Sequence, residues 1–134
     1  FGNGMKMKFV ANLLVAIHNV AAAEGILLGV RSGLDPATVV KVIGDSAGSS
    51  RMFQVRAPSM VERTWDRPMI KNTVWQKDLK LIGEALLAAE SPAPLFAATI
   101  PLYTAALATG HADHDTAAVY EVLERMAGMV PPEK

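Results

Sequence analysis

From Met5 to Val30 the chain has no proline and carries apolar side chains on nearly every side. No other stretch constrains the fold as strongly. A run of that kind is a helix, which at ~1.5 Å per residue is about 39 Å long, and apolarity all round marks it as central to a bundle. It is also long enough for a membrane span. It contains Asn12, His18, Asn19 and Glu24, however, each expensive in a bilayer, and it lacks the short apolar core and cleavage pattern of a secretory signal. The expectation is therefore a helix buried within a folded domain.

Punctuation divides the rest of the chain into shorter helices. Arg31, Ser32 and Gly33 end the long helix, and Asp35 before Pro36 is an N-cap with proline at the first helical position of a helix closing at Gly44. SAGSS is a loop. RMFQVRAPSMVERTW reads as two short helical pieces broken at Pro58, and DRPM as a further break. A strong helix runs from Thr73 to Ala89, with Trp75, Leu79, Ile82, Leu86 and Ala89 at three- and four-residue spacing. Pro94 to Thr109 forms another, bent or interrupted at Pro101, and it stops at Gly110. Asp115 caps a last helix, TAAVYEVLERMAG, with Val119, Leu123 and Met126 on one side. No segment alternates as a strand would. The fold class is all-α, a long central helix surrounded by shorter ones, and residues 1–134 form a single domain.

Composition narrows the function classes. With 51% hydrophobic and 19% charged residues the chain is too apolar for a disordered segment, and thirteen Lys+Arg against thirteen Asp+Glu leave no basic excess for a phosphate backbone. Neither nucleic acid nor a membrane is an expected partner. The chain has no cysteine, which excludes disulfides, thiolate metal sites and cysteine nucleophiles, and suits a cytoplasmic location. It opens FGNGMKMK without an initiator methionine, and the expectation is a fragment of a longer protein.

The sharpest chemical signal lies on the first helix. Lys8, Asn12 and Asn19 fall within about 40° of one another at ~100° per residue, a narrow polar line on an apolar helix, while Lys6 points the opposite way. Such a line faces a ligand, a partner domain or water. Lys8 lies near the positive end of the helix dipole, which disfavours the ammonium and suits proton exchange near neutral pH. The alternative is a solvated helix end. Asp78 shares a stripe with Val74, Leu81, Ala85 and Ala88, which suggests a buried hydrogen-bonding role or an ion pair with a nearby Arg or Lys; Lys77 sits beside it on a more polar side. His111, Asp113, His114 and Asp115 are conceivable metal ligands, but they occupy a turn before a helix and no further ligand has a recognisable spacing, so no metal is expected. His18, alone on an apolar helix, reads as a satisfied core histidine. The seven methionines read as gap-fillers. Gly2-x-Gly4 is no dinucleotide fingerprint, since no strand precedes it.

Taken together, these residues resemble a known family. Gly2-Asn3-Gly4 with Lys8 and Asn12 is similar to the GxGxxxKxxxN motif of the β-hydroxyacid dehydrogenases, the family of 3-hydroxyisobutyrate dehydrogenase and tartronate semialdehyde reductase. Lys77-Asp78-Leu79 resembles that family's KDL motif, and GHADHDTAAVYEVLERMAG its GxGDxDxSAV ending, with Thr116 in place of the usual serine. In that family a Rossmann domain precedes an all-α domain of the 6-phosphogluconate dehydrogenase C-terminal type, which carries the catalytic lysine on its first helix. The resemblance therefore implies the second domain alone, with the N-terminal Rossmann domain absent from this chain. It further implies Lys8 as general acid/base, Gly4 and Asn12 against the substrate, Lys77 against NAD or NADP, and Asp78 in support. Family members often carry an aromatic residue eight positions before the KDL aspartate. Here that position is Ile70.

The implied function is hydride transfer between NAD(P) and a small β-hydroxyacid by the parent protein. A non-catalytic helical module for oligomerisation or partner binding is the competing reading, and pairing of the apolar first helix makes a homo-oligomer plausible for either. The chain alone is expected to fold, to self-associate through its apolar helices, and to bind NAD(P) weakly or not at all, because a glycine loop and helix N-terminus for the pyrophosphate are not recognisable in it.

Overall fold

The computed structural model describes residues 2–132. Six α-helices follow one another: α1 (Asn3–Arg31), α2 (Pro36–Gly44), α3 (Arg51–Glu62), α4 (Asn72–Ala89), α5 (Pro94–Ala108) and α6 (Val119–Met126), with a 3₁₀ turn at Thr116–Ala118 before the last. No strand occurs among the described residues beyond a single bridge between Lys71 and Asp115. The all-α expectation holds, and α1 is the central helix, packed against each of the other five.

Only part of α1 is central. Its buried residues are Ala16, Asn19, Val20, Ala22, Ala23, Ile26 and Gly29, so the buried helix expected from Met5 onward begins at Ala16. The amino-terminal half is covered on one side only: Phe9, Leu13 and Val15 pack against the core, while Met5, Met7, Val10 and Leu14 are exposed. By length and composition α1 is apolar enough to cross a membrane. Its carboxy-terminal half instead forms the core with Phe53, Met60, Trp75, Ile82 and Tyr103.

Local signals set the element boundaries. Asp35 caps α2 by accepting from the Thr38 N–H at 3.0 Å, and Ser50 caps α3 by accepting from the Phe53 N–H at 2.9 Å. Gly33, at φ +88°, takes the left-handed turn that ends α1. Gly29 is fixed by packing: a Cβ there would lie 2.8 Å from a Val39 methyl, so only glycine lets α2 close against α1.

Several expectations are corrected. Pro58 does not break α3, which runs unbroken from Arg51 to Glu62. Phe53, Arg56, Ala57 and Met60 hold the helix to the core on both sides of the proline, and the carbonyl that loses its partner belongs to exposed Gln54, where water reaches it. Pro101 likewise lies inside a continuous α5, four residues after exposed Ala97. The final helix opens as a 3₁₀ turn and stops at Met126, which is exposed rather than facing the core with Val119 and Leu123. His18 is no satisfied core histidine. It is half-buried and lines a cleft among α1, α2 and the start of α3, without a hydrogen bond to any described residue. Of the methionines, Met60 alone is buried, while Met5, Met7, Met69 and Met126 are exposed.

Candidate functional site

The polar line on α1 divides in two. Asn19 is fully buried: its Nδ2 donates to the Tyr103 hydroxyl at 3.2 Å and to the Thr116 carbonyl at 3.0 Å, while the Tyr103 hydroxyl donates to the Ala16 carbonyl at 2.8 Å. These bonds tie α1 to α5 and to the final segment, although the buried Asn19 Oδ1 has no partner among the described residues, and the same burial raises the Tyr103 pKa well above the ordinary phenol value. Asn19 is therefore a structural pin and leaves the group expected to face a ligand. The residue reads as part of the line because helical phase alone does not show how far along the axis the covering helices extend.

Lys8 and Asn12 stay in the line. Lys8 is exposed and Asn12 half-buried, one turn apart, and neither side chain makes a hydrogen bond or ion pair with the described residues. Gly4 lies one turn further toward the amino terminus, and a Cβ there would meet nothing within 4 Å. None of the described residues demands glycine at that position. Gly4, Lys8 and Asn12 thus form a short stripe, at four-residue intervals, on the half of α1 that the bundle leaves open.

Lys77 and Asp78 are placed by the anchoring of α4. Asn72, fully buried, donates its Nδ2 to the carbonyls of His111 at 2.9 Å, His114 at 3.2 Å and Asp115 at 3.3 Å, and its backbone N–H bonds to His114 as well. Trp75, Leu79 and Ile82 then face the core, which turns Lys77 fully outward and leaves Asp78 half-buried. The buried role expected for Asp78 is not found: its carboxylate has no bonding partner among the described residues, and its stripe mates Val74 and Leu81 are exposed. That apolar stripe is an outer face of α4. No hydrogen bond or ion pair joins Lys77 or Asp78 to Lys8 or Asn12, and neither the apolar cleft beside α2 nor the polar cavity beside α3 is lined by any of the four. Lys77 is exposed and makes no ion pair among the described residues. An exposed side chain of this kind fits a contact at the edge of a dinucleotide and does not enclose one.

The histidine-rich turn is organised by protein groups. Asp115 Oδ1 accepts from the Met69 and Ile70 N–H groups at 2.9 and 3.2 Å; Oδ2 accepts from the Ala117 N–H at 2.9 Å and from Arg56 Nε at 3.1 Å. His111 pairs its Nε2 with Glu121 and its Nδ1 with His114 Nδ1 at 2.8 Å, packing edge-on to Trp65. Burial lowers the His111 pKa against the opposing pull of Glu121. Among the described residues no group of three His, Asp or Glu side chains converges as metal ligands would.

Sequence reasoning missed Arg56 and Asn72. Arg56 had a visible signal, because it stands in the apolar stripe of Phe53, Ala57 and Met60. Asn72 had none beyond its place at a helix start.

These features define an all-α domain that buries one half of a long helix and leaves a lysine and an asparagine free on the other. The comparisons give that domain its family. The family model described as the NAD-binding region of NADP-dependent 3-hydroxyisobutyrate dehydrogenase matches residues 2–123, and the chain belongs to this β-hydroxyacid dehydrogenase family. It is 35% identical over 121 residues to L-threonate dehydrogenase of Cupriavidus necator, covering 90% of this chain and 40% of that protein. It is 34% identical over 124 residues to glyoxylate/succinic semialdehyde reductase 2, chloroplastic, of Arabidopsis thaliana, covering 92% and 34%. The crystal structure of 3-hydroxyisobutyrate dehydrogenase from Salmonella typhimurium superposes with a TM-score of 0.84 at 30% identity, over 90% of this chain and 42% of that one. The chain thus spans well under half the length of these relatives.

Proposed function

We propose that this chain is the helical domain of an enzyme that transfers a hydride between NAD(P) and a small β-hydroxyacid, with Lys8 as the general acid/base. The supporting observation is that Lys8 and Asn12 stand one turn apart on the more open half of α1 with no hydrogen-bond or ion-pair partner among the described residues. Both are thus available to a ligand held against that half. In oxidation, neutral Lys8 accepts the substrate hydroxyl proton; in reduction, its ammonium returns a proton to the carbonyl oxygen. Asn12 holds the substrate, Gly4 allows close approach of its carboxylate, Lys77 contacts the dinucleotide and Asp78 supports the site. NAD(P), when bound, accepts or supplies the hydride. The activity belongs to the whole protein, including a Rossmann domain, and this chain by itself is expected to be inactive. Exposed Met5, Met7 and Val10 fit coverage by that domain or by a second copy in a homo-oligomer. We place the protein in the cytoplasm, in keeping with its lack of cysteine.

Lys8→Ala in the full-length protein tests the assignment. Loss of a general acid/base lowers kcat by about 10²–10⁴-fold, and Lys8→Ala should do so with Tm unchanged, since Lys8 bonds to nothing in the bundle. Undiminished turnover would overturn it.

A further inference from the structure

Arg56 presents the most unusual electrostatic arrangement outside the stripe of Gly4, Lys8 and Asn12. Its side chain is only 5% exposed, on the core face of α3. Its Nε is taken by Asp115 Oδ2 at 3.1 Å and lies 3.4 Å from the Thr116 hydroxyl. Asp115 is saturated, since three backbone N–H groups share its carboxylate with Arg56. The outer edge of the guanidinium is not. Its two Nη groups carry four N–H donors, and the acceptor they have is the thioether of Met69, 3.2 Å from Nη1. A thioether is a weak acceptor, and buried polar groups are nearly always satisfied by an oxygen of protein, water or ligand.

That outer edge faces a cavity of about 220 Å³. Ser59 and Thr64, each with a hydroxyl, line it as well, and so does a second cation, the exposed Arg67. Two carboxylates also line it: Glu62, which is exposed, and Asp115, whose charge is shared by Arg56 and three backbone N–H groups. At about 30 Å³ per water the space equals roughly seven waters. A tetrahedral oxyanion or a short carboxylate fits such a volume, and a dinucleotide does not. Met69 is 73% exposed, so its thioether can swing away from Nη1.

We propose that this cavity binds a small oxyanion, held end-on by the two Nη groups of Arg56 in place of the Met69 thioether, with Ser59 and Thr64 as hydroxyl donors and Arg67 supplying long-range attraction. A planar guanidinium offers two parallel N–H bonds to a carboxylate or phosphate, the geometry that makes such pairs strong. The three backbone donors to Asp115 reduce the repulsion an incoming anion meets. The site shares no residue with the stripe of Gly4, Lys8 and Asn12, so it stands or falls independently of the proposed dehydrogenase chemistry.

Methyl-labelled methionine reports on it directly. The protein, labelled at its methionine methyls, is titrated with sodium phosphate and with sodium acetate, each against sodium chloride at matched ionic strength. A saturable shift of the Met69 signal with phosphate, acetate or both supports the site, and the more effective anion identifies a tetrahedral or planar occupant. Thr64→Val, on the rim, is expected to weaken the response several-fold without unfolding the protein; Arg56→Lys is expected to abolish it while the methyl signal of buried Met60 stays in place. A Met69 shift that chloride reproduces, the absence of saturation, or an unaltered response in both variants would show that the cavity holds water only.

Discussion

The two halves of α1 are alike in sequence and opposite in circumstance. Residues 3–15 include Met5, Met7, Val10 and Leu14, and none of them is buried; residues 16–31 include seven that are. Polar groups follow the same division. Asn19, in the covered half, bonds to Tyr103 and Thr116 through its Nδ2, whereas Lys8 and Asn12, in the open half, bond to none of the described residues. An apolar surface determines that a helix must be covered. It does not determine by what. One half is covered by this chain on most sides; the half to which the proposed chemistry belongs is covered only through Phe9, Leu13 and Val15.

Four experiments can break or sharpen that contrast. The largest effect is expected from Asp115→Ala, which removes the group organising the segment packed over the covered half and leaves Arg56 buried without its counter-charge; breaking a buried pair in this way costs about 3–5 kcal/mol. Denaturant unfolding should show most of the domain's stability lost. Next comes a pair of asparagines. Asn19→Ala removes two buried hydrogen bonds, to the Tyr103 hydroxyl and the Thr116 carbonyl, at ~1–3 kcal/mol, whereas Asn12→Ala should change stability by less than about 0.5 kcal/mol and raise KM in the full-length enzyme. Equal stability losses in calorimetry would erase the distinction between the halves.

A smaller effect is expected on association. Met7, 66% exposed, is available to a second copy, and covering a methionine side chain is worth upwards of ~1.5 kcal/mol. Met7→Lys should therefore weaken self-association of this chain about tenfold in sedimentation equilibrium. An unchanged constant would move the contact off the open half.

The smallest effect is a pH dependence seated in the covered region. Burial holds the His111 pKa in the folded chain below its ordinary 6.5, so on acidification through that value the unfolded chain binds a proton that the folded chain refuses, and stability falls. Glu124 acts in the opposite sense. Burial outweighs its ion pair with Arg63 and raises its pKa above 4.5, so its contribution is fully present below that value and is lost as pH rises through the folded pKa. Tm should decline from pH 7.5 toward 6, and His111→Gln should flatten that limb. A decline of the same size in the variant would assign it to other groups.

Element types and most boundaries were legible in the sequence because their causes are local. Asp35, Ser50 and Gly33 act within one turn of themselves, and the spacing of Trp75, Leu79 and Ile82 sets the buried face of α4 whatever it packs against. The motif residues were likewise visible, since Gly4, Lys8 and Asn12 share a stripe by helical geometry alone. Tertiary structure decided the rest. Pro58 and Pro101 stay inside helices because the core holds each helix on both sides of the proline, a compensation contained in no local window. Asn19 is a pin rather than a ligand group because Tyr103 and Thr116, distant in sequence, arrive beside it. Asp78 lies on an outer face because Asn72 locks the rotation of α4 through three carbonyls of a loop about forty residues away. Periodicity fixes the angle of a side chain about its own helix axis, whereas burial depends on which other segments reach that angle and how far along the axis they extend, and long-range packing alone supplies those quantities.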